Sequence, residues 1–119
     1  MLTGDGPIYQ QLADHIADGI MAGTYPEDSG IPSTNEFAVF YQISPLTAAK
    51  GVNLLVEQDV LYKKRGIGMF VAVGAQDRLH RMREAEFRAD YVAPLVHEAR
   101  LLEIDRKALT TMIDEEYDR

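Results

Sequence analysis

Apolar residues recur every four positions near the start of the chain, at Ile8, Leu12, Ile16 and Ile20. This spacing puts them on one face of a helix, so we predict a first helix from about Pro7 to Ala22. Pro7 suits the first turn of a helix, and Gly23 suits the left-handed residue that follows a helix end. The turn-rich residues 24–30 then predict a loop.

A capping box marks the start of a second, shorter helix. Ser33 can accept a hydrogen bond from the amide of Glu36, while Glu36 can accept one from the amide of Ser33. We therefore predict a helix from Ser33 to about Phe40, with the side chains of Phe37 and Phe40 buried.

A second cap follows the short connection Tyr41-Gln42-Ile43. Ser44 is a good N-cap and Pro45 fits the first helical position, so a third helix is predicted to reach about Gln58. Gly51 in its interior costs up to about 1 kcal/mol relative to Ala, which predicts that two helices approach closely there. The inward face of this helix is predicted to carry Ala48, Gly51, Val52 and Leu55.

Residues 60–63 and 69–72 are two strand-like runs, and the turn residues 65–68 join them into a predicted β-hairpin. The hairpin carries Lys63-Lys64-Arg65, the one like-charged run in residues 1–74. Because alternate residues of a strand face opposite sides, Lys63 and Lys64 are expected to point in different directions.

After residue 74 the sequence becomes charged, with a helical pattern. Its apolar stripe is expected to break or kink near Pro94, and Asp105 is a plausible N-cap for a final helix. About 45 residues are too few to bury a core of their own, so the stripe must face the first part of the chain or a second chain. We predict dimerisation through Leu79, Met82, Val92, Leu95, Val96, Leu109, Met112 and Ile113.

The order of elements is that of a winged helix-turn-helix (residues 1–74) followed by a short two-helix dimerisation module (residues 75–119). The predicted fold class is mainly α with a small β-hairpin. In this fold the second of the paired helices enters the major groove of duplex DNA by its N-terminal turn, and helix N-termini and basic hairpins contact phosphates. The predicted DNA contacts are Ser33, Thr34, Asn35, Ser44, Pro45, Leu46, Thr47, Lys50, Lys64, Arg65, Gly66 and Gly68.

The charge of the chain opposes this interpretation. The net charge is −7, and residues 1–74 carry four Lys and Arg against eight Asp and Glu. DNA-binding domains usually have a basic excess, because binding to phosphates releases counterions. The field that a duplex meets is local, however, and the basic run falls where a DNA-binding hairpin would place it.

Little in the sequence indicates other chemistry. The chain has no Cys, which excludes disulfides and thiolate zinc sites. His80 and Glu84 have the spacing of a metal-binding pair, but one such pair is a weak signal, and we predict neither a metal nor a cofactor. No nucleophile–base pair is visible, so an enzyme is not expected. Without a signal-peptide pattern or a long apolar stretch, the protein is expected to be cytoplasmic and free of membranes.

Short motifs are spread over residues 7–73: Pro7-Ile8-Tyr9-x-Gln11-Leu12, Gly23-x-Tyr25, Ile31-Pro32-Ser33, Phe37-Ala38, Ile43-Ser44-x-x-Thr47, Leu55 and Arg65-Gly66-x-Gly68-x-Phe70-Val71. Together they resemble the GntR family of bacterial regulators, and the short tail resembles that of its YtrA-type subgroup. The resemblance implies a two-helix dimerisation module in place of a large effector domain. It also implies a repressor, often one that acts on membrane-transporter operons.

The chain departs from the family at a few positions. Asn35 stands where Arg is frequent, and Pro45 and Ala49 replace basic residues. The operator sequence of the family is therefore not transferred, and Asn35, Thr47, Lys50 and the hairpin are expected to carry more of the contacts. Asp28 and Asp59 stand where Gly is usual.

The sequence favours a homodimer that binds double-stranded DNA at a pseudo-palindromic operator, but it leaves two alternatives open. The first is a winged-helix module that binds protein, which the acidic charge supports. The second is a regulator gated by a small molecule bound between the winged domain and the tail. The short tail leaves little room for a pocket of about 300 Å³ or more.

Overall fold

The computed structural model describes Leu2 and residues 4–119 of the chain. The chain divides into two compact units, Met1–Arg81 and Met82–Arg119, which we call the winged unit and the tail unit. The elements are α1 (Ile8–Met21), α2 (Thr34–Tyr41), α3 (Pro45–Glu57), β1 (Leu61–Lys64), β2 (Gly68–Val71), α4 (Ala75–Phe87), a π-helical turn (Arg88–Val92), α5 (Ala93–Leu101) and α6 (Arg106–Tyr117). The predicted fold class, mainly α with one β-hairpin, is confirmed.

Helices α1, α2 and α3 enclose the core of the winged unit. The predicted apolar stripe of α1 is confirmed at Leu12, Ile16 and Ile20, which are buried, whereas Ile8 in the first turn is 38% exposed. The inward face of α3 is confirmed as well, and its Gly51 lies against α1. Gly23 follows the end of α1 with a φ of 85°, as predicted for a helix terminator.

The two strands form an antiparallel hairpin whose register pairs Leu61 with Val71 and Lys64 with Gly68. Each strand is displaced by one residue from its predicted bounds. The end of the preceding loop adds a third, strand-like segment along β2. There the Asp28 amide donates to the Val71 carbonyl (2.8 Å) and the Ile31 amide donates to the Met69 carbonyl (3.0 Å).

One core prediction for α2 is wrong. Phe37 is buried, with 4% of its surface exposed, but Phe40 is 72% exposed. Helix α2 has only eight residues and turns Phe37, Ala38 and half-buried Tyr41 toward the core. Phe40, three positions after Phe37, lies at the edge of this face and projects outward.

The winged unit extends beyond its predicted end at residue 74. Ala75 and Leu79 of α4 belong to the buried cluster of this unit, and the structural division falls within α4, after Arg81. Leu79 is therefore covered by its own chain and is wrong as a dimerisation residue. The helical pattern alone could not reveal that Leu79 joins this core cluster.

A π-helical turn at Arg88–Val92 separates α4 from α5, just before Pro94. Proline has no amide hydrogen, and its ring crowds the carbonyl four residues earlier, so the wider turn accommodates it. The expected irregularity near Pro94 therefore takes the form of a widened turn rather than a break.

The tail unit has little buried surface. Among the described residues from Met82 to Arg119, Ala99 is the only one that is buried. The predicted N-cap of the last helix is confirmed, because Asp105 Oδ1 accepts a hydrogen bond from the Ala108 amide (2.9 Å). In the part of the chain that the structure describes, no helix is long and apolar enough to cross a membrane.

Candidate nucleic-acid interface

The N-terminal turn of α3, residues 44–47, is built by the Ser44 cap and is called the leading turn below. Ser44 Oγ accepts the Thr47 amide hydrogen (3.1 Å) and donates to Thr47 Oγ1 (2.8 Å). Pro45 occupies the first helical position, as predicted. Since Thr47 Oγ1 already accepts from Ser44, its own hydroxyl hydrogen is left to donate to an external acceptor such as a phosphate or base oxygen.

Four residues form the outward face of the first turns of α3, and we call this the recognition face. Leu46 is 83% exposed, Lys50 and Asn53 are exposed, and Ala49 is half-buried. The spacing of these positions places them on one side of the helix, opposite the core residues Ala48, Val52 and Leu55. Sequence reasoning missed Asn53, although it lies two turns beyond Leu46 and the helical repeat alone would have placed it there.

Lys50 is positioned by α1. Its ammonium nitrogen lies 4.2 Å from the centre of the Tyr9 ring, which is within the range of a cation–π contact. The cation of the recognition face is therefore held at its second turn, while the leading turn carries no charge.

The start of α2 has the full capping box that the sequence predicts. Ser33 Oγ accepts from the Glu36 amide (3.0 Å), and Glu36 Oε1 accepts from the Ser33 amide (2.9 Å). The hydrogen bonds from the Ser33 main chain and then from its side chain lower the pKa of Glu36. Asn35 is exposed beside this cap, and Thr34 is half-buried.

The tip of the hairpin presents the basic run. Lys64 lies on the outer face of the hairpin, with Nζ 4.2 Å from the centre of the Phe70 ring. Lys63 is on the opposite face, which carries buried Leu61 and Val71. Gly66 and Gly68 have φ values of 75° and 146°, which side chains rarely adopt, so they shape the turn and leave its backbone open.

An apolar cleft of about 640 Å³ lies on the surface of the winged unit, beside α2. We call it the aromatic cleft; its lining is Tyr25, Pro32, Asn35, Glu36, Phe37, Val39, Phe40 and Tyr41. Burial, and to a smaller degree the neighbouring Tyr25, raise the pKa of Tyr41. Phe40, which sequence analysis placed in the core, is one of the residues that line this cleft.

All twelve predicted DNA contacts thus lie in the winged unit, at the starts of α2 and α3 and at or beside the hairpin tip. Their contact with DNA stays a prediction. Among the described residues, no three His, Asp or Glu side chains are grouped as a metal site would require.

Most of the predicted dimerisation residues lie in the tail unit. Val92, Leu95 and Val96 of the π turn and α5 are each more than a third exposed, as are Met112 and Ile113 of α6. An apolar groove of about 440 Å³ runs within the unit, lined by Leu95, Leu109, Met112, Ile113, Glu116 and Tyr117. Leu109 and Met82 are half-buried. Sequence analysis did not assign Tyr117 to this surface, although it is 86% exposed.

The chain is similar to curated regulators of bacterial transcription over its first part. It is 37% identical over 65 residues to YurK, an uncharacterized HTH-type transcriptional regulator of Bacillus subtilis, and 33% identical over 66 residues to the HTH-type transcriptional repressor NagR of the same organism. These matches cover 55% and 56% of the chain but only 27% of each relative. No protein-family model matches the chain.

Solved structures match more of the chain. It is similar to a GntR-family transcriptional regulator from Bacteroides thetaiotaomicron, with 38% identity and a TM-score of 0.82 over 94% of this chain and 97% of that one. It is also similar to the DNA-binding domain of AraR in complex with an operator, with 32% identity and a TM-score of 0.55 over 60% of this chain and 95% of that one. The chain therefore belongs to the GntR family of transcriptional regulators.

Proposed function

We propose that this chain is a sequence-specific repressor of transcription that binds a pseudo-palindromic operator as a homodimer. One observation carries the proposal: the leading turn of α3 is exposed in a winged unit similar to an operator-bound domain. Double-stranded DNA is its proposed partner, and a place in the cytoplasm is expected from that role. The proposal includes membership of the YtrA-type subgroup, in which the short tail takes the place of an effector domain.

The proposed DNA contacts divide into two kinds. Ser33, Ser44, Lys64 and Arg65 offer helix N-termini or cations to phosphates, which fixes the position of the protein but does not read sequence. Leu46, Thr47 and Lys50, with Asn35, reach the bases. The hairpin concentrates positive charge at one place, so the excess of acidic residues elsewhere does not prevent binding.

The tail unit supplies the proposed dimer contact. Its helices leave several large apolar side chains exposed to solvent. A contiguous apolar surface of this kind is typical of a protein–protein interface. A second copy offers the same surface, as two-fold symmetry requires. Pairing would place two copies of α3 about 34 Å apart, so that each reads a half-site one duplex turn from the other.

The dimer is tested by the variant Leu95→Glu with Ile113→Glu, which charges the apolar groove of the tail unit. Analytical ultracentrifugation of the full chain should show a dimer, and the variant should sediment as a monomer with unchanged far-UV circular dichroism. Asp114→Lys, an exposed change next to Ile113, is the matched control and should remain dimeric. A monomeric wild-type protein at micromolar concentration would overturn the homodimer.

A protein-binding winged helix is the second candidate function, and the exposed aromatic cleft favours it. The two candidates differ in their response to salt. A DNA-binding protein loses affinity for a duplex steeply between 50 and 200 mM salt, by about 10³-fold or more when six or more phosphates are contacted. Binding to no duplex at low salt would favour the protein-binding module.

A further inference from the structure

The leading turn of α3 projects a large apolar side chain that has no role in the fold. Leu46 is 83% exposed and is absent from the core cluster that Ala48, Val52 and Leu55 join. Pro45 beside it is exposed too, and Ala49 follows one turn later on the recognition face. An apolar patch thus occupies the part of α3 that enters the major groove in a helix-turn-helix.

The polar side chains of the leading turn are bonded to each other. The Ser44 hydroxyl both accepts from the Thr47 amide and donates to Thr47 Oγ1. Lys50 is held over the Tyr9 ring. The first turn therefore has one hydroxyl hydrogen, that of Thr47, for a polar contact, whereas Leu46 and Ala49 have methyl groups alone.

The edges of the base pairs offer few apolar partners in the major groove. The C5-methyl group of thymine is the apolar group that distinguishes one base pair from the others there. A leucine that approaches any other base edge buries a polar group without a hydrogen bond, which is unfavourable.

We propose that Leu46, supported by Ala49, reads thymine methyl groups, so that each operator half-site presents a thymine to the leading turn. The inference rests on the proposed DNA-binding function and names the class of duplex that the recognition face accepts. It also explains how the leading turn could distinguish base pairs although Pro45 and Ala49 stand where the family often has basic residues.

The test uses duplexes that the full chain selects from random DNA, remade with 2′-deoxyuridine in place of one thymine at a time. Deoxyuridine pairs like thymine but lacks the methyl group. Loss of one buried methyl is worth about 0.8 kcal/mol, which is about a fourfold loss of affinity at the critical thymine. Leu46→Ala should bind the thymine and deoxyuridine duplexes equally.

Val39→Ala is the matched control, because Val39 is 79% exposed on α2 and outside the recognition face. It should keep the full fourfold ratio. The inference is overturned if wild type shows no preference for thymine at any position, or if Leu46→Ala keeps the preference at the same thymine. Failure of the full chain to select any duplex would instead refute the proposed function, so the two failures are distinct.

Discussion

Gly51 and Tyr9 bring α3 and α1 into direct contact, since a Cβ atom at Gly51 would lie 2.7 Å from the Tyr9 carbonyl oxygen. The obstacle is backbone, which cannot turn aside as a flexible side chain would. The sequence shows an unfavourable glycine in a helix, and the structure shows what that glycine permits. The same helix pair positions Tyr9 under Lys50, so this contact also supports the recognition face.

Gly51→Ala should therefore lower the free energy of unfolding, by about 1–3 kcal/mol, because the added methyl group overpacks the helix interface. Helix propensity alone predicts the opposite sign, a gain of up to about 1 kcal/mol. Urea denaturation followed by circular dichroism distinguishes the two. Asn53→Ala, an exposed change in the same helix, is the control and should not destabilise. A more stable Gly51→Ala protein would contradict the close approach.

Asp59 has a left-handed φ of 60°, two residues after the last residue of α3. Glycine adopts this conformation without strain, so Asp59→Gly removes the unfavourable contact of the Cβ atom, whereas Asp59→Ala keeps it. The glycine variant should exceed the alanine variant in unfolding free energy by about 1 kcal/mol. The midpoints of their urea transitions measure the difference, and equal midpoints would show that the left-handed residue carries no strain.

Glu36 should make the stability of the winged unit depend on pH. Its pKa is lowered from 4.5 by the hydrogen bonds from Ser33, so its ionised form is favoured in the folded chain. The stabilisation from the ionised carboxylate is fully present above pH 4.5, the ordinary pKa of Glu. It is lost as the pH falls through the lowered pKa of the folded chain. Glu36→Gln keeps an acceptor for the Ser33 amide but cannot ionise. The stability gap between wild type and this variant should close as the pH is taken from 7 to below 4.5, and a constant gap would contradict the capping charge.

Truncation should separate folding from operator binding. Removal of residues 82–119 keeps Ala75 and Leu79 in the core, so the winged unit should stay folded but lose tight binding to a selected duplex. Loss of the linked second copy removes an avidity of about 10²–10⁴-fold. Removal of residues 76–119 deletes Leu79 as well, and that shorter chain should also be less stable. Gel-shift titration and thermal denaturation test the two effects, and an unchanged affinity after either truncation would refute the dimer argument.

Phosphate contacts and base contacts should respond differently to mutation. Lys64→Ala with Arg65→Ala should weaken binding to selected and random duplexes alike and reduce the salt dependence by about two counterions. Thr47→Ala should instead change which sequences are preferred, because its free hydroxyl hydrogen is proposed to reach a base. Fluorescence anisotropy with both duplexes at several salt concentrations measures these effects. Equal losses on both duplexes for both variants would undo this division of roles.

Local signals predicted the winged unit well. The capping box at Ser33, the Ser44 cap with Pro45, and the helix terminator Gly23 depend on neighbouring residues, so their positions could be read directly from the sequence. Gly51 could be interpreted too, because a glycine inside a helix is unfavourable and therefore predicts a close contact that offsets its cost.

Predictions that depended on tertiary packing were less complete. Phe40 and Leu79 are both large apolar residues on helical stripes, yet one is exposed and the other buried in the winged unit. Periodicity gives the side of a helix but not what covers it. The pairing of Asp28–Ile31 with β2 had no sequence signal either, because it depends on main-chain hydrogen bonds rather than on side chains.

Selection of duplexes from random DNA by the full chain tests the central claim most directly, because enrichment of a defined sequence requires the leading turn to read bases. We expect enrichment of two inverted half-sites whose centres lie about 10–10.5 base pairs apart, with thymine at a fixed position in each. Recovery of sequences no different from the starting library, at a salt concentration where the protein is folded, would contradict the account.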